Sequence, residues 1–430
     1  MDVKIEPSGL SGFVRVPSSK SEGHRALICA ALSNGVSEIF NFDTSGDLER
    51  TVCGLRAFGA KISVFDSCVK VDGSTTFSSC EDAAVDCFES ASSLRFLIPL
   101  SLLRRGKTFF SGTDRLSMRS LQPYIDIFTR NEIEFHIGTG RNPMAYLPLE
   151  ISGIAEIPNV DISLEGGVSS QFVTGLLFVL PFLPGGTRVS VTTPLESKPY
   201  VDITLRVLQR FGVCVCNKSY SEFYISSPQT YIPASFVCEA DYSQAAFFIA
   251  AGVIGRGKVT CGEFNLSSLQ GDRKIVEILR KMGARIECEG GRITAFPSKT
   301  FGIDIDASDI PDIVPILAVV AAFSDGVTTI CNVGRLRIKE SDRMEAISSQ
   351  LCRLGASIYA IGDTLVINGT KGNIRGGKAS SFGDHRIAMS IAVAATRCDS
   401  TVTLDSSECV GKSYPRFWED FRSIGGRISY

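Results

Sequence analysis

Eight basic side chains recur at similar junctions of this 430-residue chain. They are Lys20 and Arg25 in PSSKSEGHR, Arg95 in SSLRF, Arg119 in GTDRLSMRS, Lys339 and Arg343 in RIKESDR, Arg386 in DHR and Lys412 in VGKSYP. One such residue alone reads as a solvated surface charge. Their return beside the start of successive apolar stretches points instead to a seat for a polyanion. The formal net charge is only −2, so no global field draws anions in, and any such site has to be a local concentration of cations. Two carboxylates, Asp312 in IPDIVP and Glu340 in IKESDR, stand at the same junctions and could move protons.

Other chemistries find no support. CxxC does not occur, and only His24, His136 and His385 could join a metal cluster, so no metal is expected. There is no Walker loop, no GxSxG and no dinucleotide fingerprint, so no cofactor is expected either. The chain's 14 cysteines are scattered, and Cys29, Cys53, Cys214, Cys216, Cys331 and Cys352 read as small core fillers. With no signal peptide in MDVKIEPSG, reduced thiols and a cytoplasmic location are the expectation.

The junctions open onto six helical stretches, 21–33, 93–103, 170–183, 243–255, 312–324 and 384–396, most of them apolar nearly all round. That pattern marks helices buried on every side, yet they fall short of the roughly 20 residues that span a bilayer. Ser21, Ser92, Ser170, Ser243, Asp312 and Asp384 stand at their starts as expected N-caps. Free N–H groups and the positive dipole end make each start a possible phosphate seat.

A second, amphipathic helix follows each time and ends in a tight stop before an alternating strand: LRAFGAKISV, IFTRNEIEFHI, LQRFGVCVCN, LRKMGARIEC, LCRLGASIYA and FRSIGGRISY. The stops read as Gly59, Asn131, Gly212, Gly283, Gly355 and Gly425, residues that tolerate the left-handed conformation closing a helix. Recurrence at roughly 70 to 80 residues means six like units. Each reads as helix–strand–helix–strand–strand, and three units closing around their buried helices make one domain. The strand-like segment 3–17 precedes the first unit, and the Pro- and Ser-bearing stretch 226–241 reads as a crossing. The expected domains are therefore 20–235, and 1–19 with 236–430, joined by hinges near Ser19–Lys20 and 232–240.

Seven strings in order, PSSKSEGHRAL, GVSSQFVTGLL, ESKPYVDIT, IPDIVP, IKESDR, GDHRIAM and VGKSYPRFW, resemble the EPSP synthase (3-phosphoshikimate 1-carboxyvinyltransferase) family across the whole chain. The resemblance implies an α/β (α+β) fold of two similar domains, each of three βαβαββ-type repeats, with the active site in the interdomain cleft. It implies a transferase of the shikimate pathway, acting in chorismate and aromatic amino-acid biosynthesis. Such an enzyme moves the enolpyruvyl group of phosphoenolpyruvate to the 5-hydroxyl of shikimate 3-phosphate and releases phosphate.

Carried over motif by motif, the resemblance implies that Lys20, Ser21, Arg25, Ser169, Ser170, Gln171, Ser197, Asp312 and Lys339 meet shikimate 3-phosphate. Lys20, Ala91, Arg119, Gln171, Arg343, Arg386 and Lys412 would meet phosphoenolpyruvate. Asp312 would take the hydroxyl proton, Glu340 and Lys20 are the candidates to protonate the methylene carbon, and Lys412 would assist the leaving phosphate. The partners expected are these two small molecules, with no nucleic acid, no membrane and a monomeric chain.

Two alternatives are weighed. The sister family uses UDP-N-acetylglucosamine as acceptor and usually carries a reactive cysteine in the loop matched by GTDRLSMRS, which has none here. A DNA sliding clamp is also built of repeated helix-and-sheet units, but its bore is lined with basic helices, unlike the apolar ones here. Two positions depart from the family pattern: Ala91 stands where a Gly is frequent, and Gly46 where an acidic residue is frequent. The methyl group of Ala91 is expected to weaken inhibition by glyphosate, which competes with phosphoenolpyruvate in this family.

Overall fold

The computed structural model describes residues 1–138, 142–154, 162–184, 187–226, 228–372 and 374–430, so residue 227 of the 226–241 crossing lies outside the described residues. The chain divides into two compact units, Ser18–Cys238 on one hand and Met1–Pro17 with Glu239–Tyr430 on the other. Each unit has its own apolar core. Among the described residues, no helix is long and apolar enough to cross a membrane.

The six repeats form six four-stranded sheets among the described residues, three in each unit, all with the same pairing. In the second repeat, Ala83–Asp86 runs parallel to Lys107–Ser111 across the helix Ala91–Ser101. Lys107–Ser111 then pairs antiparallel with Leu149–Ser152, which pairs antiparallel with Phe135–Ile137. Ala83 and Val85 point inward and their neighbours outward, the period-two burial of a sheet with one face on the core.

The repeat therefore opens with a strand that the sequence reading left out, and three of its strands come from unexpected places. Segment 3–17 holds two strands rather than one. Val3–Glu6 pairs between Val402–Leu404 and Arg427–Ser429 and so completes the last repeat. Gly12–Val14 lies parallel to Val259–Cys261 and opens the fourth repeat. The supposed crossing contains Ser235–Val237, which lies parallel to Val36–Phe40 and supplies the first strand of the first repeat. Three residues give too little alternation to read from sequence; the ladder partner, far away in the chain, makes them strands.

The buried helices are Lys20–Leu32, Ala91–Ser101 and Ser170–Val179 in one unit, and Tyr242–Ile254, Val314–Phe323 and His385–Ala395 in the other. All 13 residues of Tyr242–Ile254 are buried. Their caps differ from the expected ones. Ser19, Ser90, Ser169 and Asp241 accept the first-turn N–H groups, placing Ser21, Ser92, Ser170 and Ser243 inside the helix or one residue into its first turn. Asp384 does cap its helix. Asp312 caps nothing; it lies in the short 3-10 turn Pro311–Ile313, where no side-chain cap forms.

The amphipathic helices end as expected at Gly59, Gly212, Gly283, Gly355 and Gly425, each with positive φ. In the second copy the left-handed residue is Glu132 (φ 55°), one position beyond Asn131. Asn131 stays at φ −102°, and its side-chain Nδ2 donates to the Ile127 carbonyl at 2.8 Å. The helix runs one residue further than in the other copies, ending at Arg130 with Asn131 as its cap. Of the cysteines read as core fillers, Cys29 is buried, whereas Cys53, Cys214 and Cys352 are exposed and Cys216 and Cys331 intermediate. Cys53 and Cys352 fall on the outward faces of amphipathic helices, where a small apolar residue is tolerated at little cost.

One close approach sets the site's geometry. Helices Ala91–Ser101 and Ser170–Val179 pack together at Gly175, where an added Cβ would lie 2.6 Å from the Arg95 carbonyl oxygen. That carbonyl also accepts from the buried Tyr124 hydroxyl at 2.6 Å.

Candidate active site

In the Ser18–Cys238 unit, the starts of three buried helices carry neighbouring polar networks. Lys20 Nζ lies 2.6 Å from Asp47 Oδ2, and the Asp47 carbonyl accepts from Ser93 Oγ at 3.1 Å. Ser93 is linked to Thr51, Thr51 to His24 Nδ1, and Ser90 Oγ joins from the helix cap. Gln171 Nε2 donates to Ser92 Oγ at 2.9 Å while its Oε1 accepts from Arg95 Nη1 at 2.9 Å. Arg95 lies over the Phe172 ring, and its Nη2 donates to the Ser120 carbonyl, next to Arg119. Ala91 is buried at the first position of its helix, between the cap Ser90 and the Gln171 partner Ser92.

Arg25 is almost wholly buried, and its hydrogen bonds among the described residues go to neutral oxygens: Thr204 Oγ1 at 2.8 Å, the Ser21 carbonyl at 2.6 Å, the Tyr200 carbonyl at 3.0 Å and Thr174 Oγ1 at 3.5 Å. Burial pushes its pKa down to about 10. A guanidinium held without a carboxylate is poised for an anionic ligand. The Tyr200 segment leads to Ser197, whose carbonyl accepts the Tyr200 N–H. Ser197 is a buried non-glycine residue in the left-handed region (φ 56°), the kind of backbone strain that concentrates at ligand sites. Thus Lys20, Ser21, Arg25, Ala91, Arg119, Ser169, Ser170, Gln171 and Ser197 each lie along one of these networks or within a residue of one.

In the other unit a denser cluster surrounds Asp312. Its Oδ1 lies 3.1 Å from Arg343 Nη1 and 3.7 Å from Lys339 Nζ, and its Oδ2 lies 3.0 Å from Arg386 Nη2. Arg343, itself 1% exposed, also meets Glu340 at 2.7 Å and Asp384 at 2.8 Å. Arg386 adds bonds to the Asp312 carbonyl and to Ser243 Oγ.

Burial alone would raise the Asp312 pKa, but Arg386, Lys339 and Arg343 outweigh it and hold the carboxyl well below the usual range. Burial pushes Lys339 down to about 8, only partly offset by Asp312. For Arg343, burial opposes the charge, but Asp384, Glu340 and Asp312 overcome it and raise its pKa. Lys412 ends the 3-10 segment Ser407–Lys412, which follows the left-handed Ser406.

The sequence reading missed three contributors. Asp47 stood one residue from Gly46 without being singled out, yet it is the ion-pair partner of Lys20. Arg95 was noted as a junction cation but given no role. Asp384 was read as a cap only; its second function, pairing Arg343 across 41 residues of chain, leaves no local signal.

A family model described as EPSP synthase (3-phosphoshikimate 1-carboxyvinyltransferase) matches residues 5–421. The 3-phosphoshikimate 1-carboxyvinyltransferase of Clostridium kluyveri is 46% identical over 426 residues, covering 99% of this chain and 98% of the relative. That of Clostridium acetobutylicum is 44% identical over 429 residues, with the same 99% and 98% coverage. Among solved structures, EPSP synthase from Acinetobacter baumannii superposes with a TM-score of 0.81 at 24% identity, covering 100% of both chains. The enolpyruvyl transferase NikO from Streptomyces tendae gives 0.75 at 19% identity, covering 100% of this chain and 98% of that one. Those two likenesses concern the fold, which serves more than one enolpyruvyl transferase and does not by itself choose an acceptor. The sequence relatives do choose: matched along nearly its whole length, the chain belongs to the EPSP synthase (3-phosphoshikimate 1-carboxyvinyltransferase) family.

Proposed function

We propose that the two residue sets act together on one pair of substrates, phosphoenolpyruvate and shikimate 3-phosphate. The reaction transfers the enolpyruvyl group to the 5-hydroxyl, giving 5-enolpyruvylshikimate 3-phosphate and phosphate. In bond terms, a C–O bond forms at C2 of phosphoenolpyruvate and the C2–O bond to phosphate breaks. Because the enol is electron-rich, attack at C2 requires a proton on the methylene carbon, and restoring the double bond removes one again. The hydroxyl proton leaves with a base.

The observation that carries this reading is the single bonded cluster of Asp312, Lys339, Glu340, Arg343 and Arg386. Each substrate brings a carboxylate and a phosphate, together about six negative charges near neutrality. Their mutual repulsion has to be offset by fixed cations and helix N-termini. Lys20, Ser21, Arg25, Ser169, Ser170, Gln171, Ser197, Asp312 and Lys339 are proposed to hold shikimate 3-phosphate. Lys20, Ala91, Arg119, Gln171, Arg343, Arg386 and Lys412 are proposed to surround phosphoenolpyruvate. Asp312 is the proposed base, Lys412 assists the departing phosphate, and Glu340 and Lys20 are the two proton donors to separate. The domain division at 1–19 with 236–430 and 20–235, a cytoplasmic location and a monomeric chain belong to the same proposal.

The deciding assay is phosphate release from phosphoenolpyruvate, with shikimate 3-phosphate compared with UDP-N-acetylglucosamine as acceptor. Release with the second acceptor alone overturns the assignment. Deuterium wash-in at the methylene carbon distinguishes the donors: it is lost in Glu340→Gln or in Lys20→Met, whichever residue delivers the proton.

A further inference from the structure

Two cavities of about 430 and 600 Å³ meet at Gly372 and Arg397 in the unit that holds Asp312. They open where buried helices end: Ile254 and Phe323 close two of those helices, and Arg397 stands two residues beyond the end of His385–Ala395. Arg386 lies in the first turn of that last helix, and the eleven residues from there to Arg397 put the larger cavity about 16 Å from the Asp312 cluster.

Arg256, Arg375 and Arg397 line the larger cavity. Among the described residues, no hydrogen bond or ion pair engages any of their three guanidinium groups. Arg397 is half-buried, with its Nε sealed from solvent. Burial first, and the like charge of Arg256 second, pull its pKa below the ordinary value. The carboxylate in this lining, Asp399, is engaged locally, accepting from Ser400 Oγ at 2.7 Å and the Gly376 N–H at 3.0 Å, with Arg375 adding a longer-range attraction. In the smaller cavity Lys299 and Lys371 both pair with Asp325.

A purely structural arginine at a helix C-terminus spends its donors on the orphaned carbonyls there. Arg104, three residues beyond the helix Ala91–Ser101, spends its donors on main-chain carbonyls in this way, those of Ala57 at the end of a neighbouring helix and of Glu81 in a loop. Among the described residues, Arg397 makes no such bond. A half-buried fork of donors facing a cavity with two further arginines suits a tetrahedral oxyanion, which several guanidinium groups can share.

We propose that the cavity at Arg256, Arg375 and Arg397 is a second anion site, separate from the catalytic residues, that takes a small phosphate-bearing molecule.

The test is calorimetric titration of the full chain with inorganic pyrophosphate near neutral pH and at low salt, alongside steady-state kinetics. Arg397→Gln should weaken pyrophosphate binding at least about tenfold, the loss of one charge-assisted contact, while kcat and both KM values stay as in the wild type. Should Arg397→Gln fail to fold by circular dichroism, the exposed pair Arg256→Gln and Arg375→Gln gives the same reading. Wild-type affinity in the folded variant overturns the proposal. A binding loss matched by a rise in KM for phosphoenolpyruvate also overturns it, because pyrophosphate would then sit on the catalytic residues. Tighter binding of citrate than of pyrophosphate overturns the phosphate assignment.

Discussion

Arg386 grips Asp312 twice, through Nη2 to the carboxylate at 3.0 Å and through Nη1 to the main-chain carbonyl at 3.2 Å. The cation proposed for phosphoenolpyruvate is thus already engaged with the proposed base. A carboxylate held this far below its usual pKa is a poor proton acceptor. Anionic substrates compete for Arg386 and Lys339, and each contact they draw away lets the basicity of Asp312 rise. On this reading the base is activated by the substrates it serves.

Asp312→Asn follows directly. Asn keeps the shape and a hydrogen-bonding oxygen but cannot take the proton, so kcat should fall about 10²–10⁴-fold. KM for phosphoenolpyruvate should stay level or drop, since Arg386 and Arg343 lose a competing charge. The side chain caps no helix, but it pairs with Arg343, Arg386 and Lys339, so turnover is to be compared at a temperature where denaturant titration shows the variant folded. Near-normal turnover in a folded variant removes Asp312 from the base role.

Asp384 separates capping from pairing. It is fully buried, accepts the Arg386 N–H at 2.9 Å, and holds Arg343 Nε at 2.8 Å. Asp384→Asn restores the cap but leaves Arg343 one carboxylate short. Breaking a buried pair costs about 3–5 kcal/mol, and Glu340 and Asp312 remain, so a loss near the lower end is expected in both Asp384→Asn and Asp384→Ala. Denaturant titration reads it. Full recovery of stability by Asn would show that the cap alone matters.

How much of this was legible in the sequence depends on distance along the chain. Five of the six helix stops and the buried helices are local events, written in consecutive residues, and they were readable; the second stop fell one residue on, at Glu132 rather than Asn131. The strands at Val3–Glu6, Gly12–Val14 and Ser235–Val237 exist because of partners hundreds of residues away, or nearly so, and local alternation could not reveal them. The same holds in the site. Lys20, Arg343 and Arg386 announced themselves by type and recurrence, whereas the pairing of Lys20 with Asp47 and of Arg343 with Asp384 is made only by folding. The cap positions slipped because Ser18, Ser19 and Ser21, or Ser90, Ser92 and Ser93, are equally good caps on paper, and only the backbone turn selects one.

Gly175 tests whether helix packing sets the site. A Cβ there meets the Tyr124 hydroxyl first and the Arg95 carbonyl at 2.6 Å, so Gly175→Ala has to displace Tyr124 and push two buried helices apart. Overpacking of this kind costs about 1–3 kcal/mol. Because Arg95 and Gln171 ride on those helices, KM for the substrates should rise as well. A stable variant with unchanged KM would show that the helices yield without disturbing the Arg95–Gln171 bond.

Ala91 offers a different readout, inhibitor choice. The resemblance places this position near the phosphoenolpyruvate seat, and its methyl group sits at the start of a buried helix. Glyphosate is longer than the natural substrate, and steric overlap of about 1–3 kcal/mol corresponds to roughly 5- to 150-fold in affinity. Ala91→Gly should therefore bind glyphosate more tightly than the wild type. Equal and tight inhibition constants for the two proteins would mean that the methyl does not reach the inhibitor.

Lys339 supplies a pH test with opposite signs for stability and binding. Its pKa in the folded chain is about 8, below the ordinary lysine value, because burial disfavours the charge. Between about 8 and the unfolded value near 10.4, the unfolded chain binds more protons, so this group makes the fold relatively more stable as pH rises. Substrate binding runs the other way. The proposed contact with shikimate 3-phosphate needs the ammonium, and a bound anion raises its pKa again. KM for shikimate 3-phosphate should thus climb as pH passes about 8, and binding near that pH should take up a proton. Calorimetry in buffers of different ionisation enthalpy measures the uptake directly. Lys339→Met should abolish both the uptake and the upturn in KM; persistence of either would assign the titration to another group.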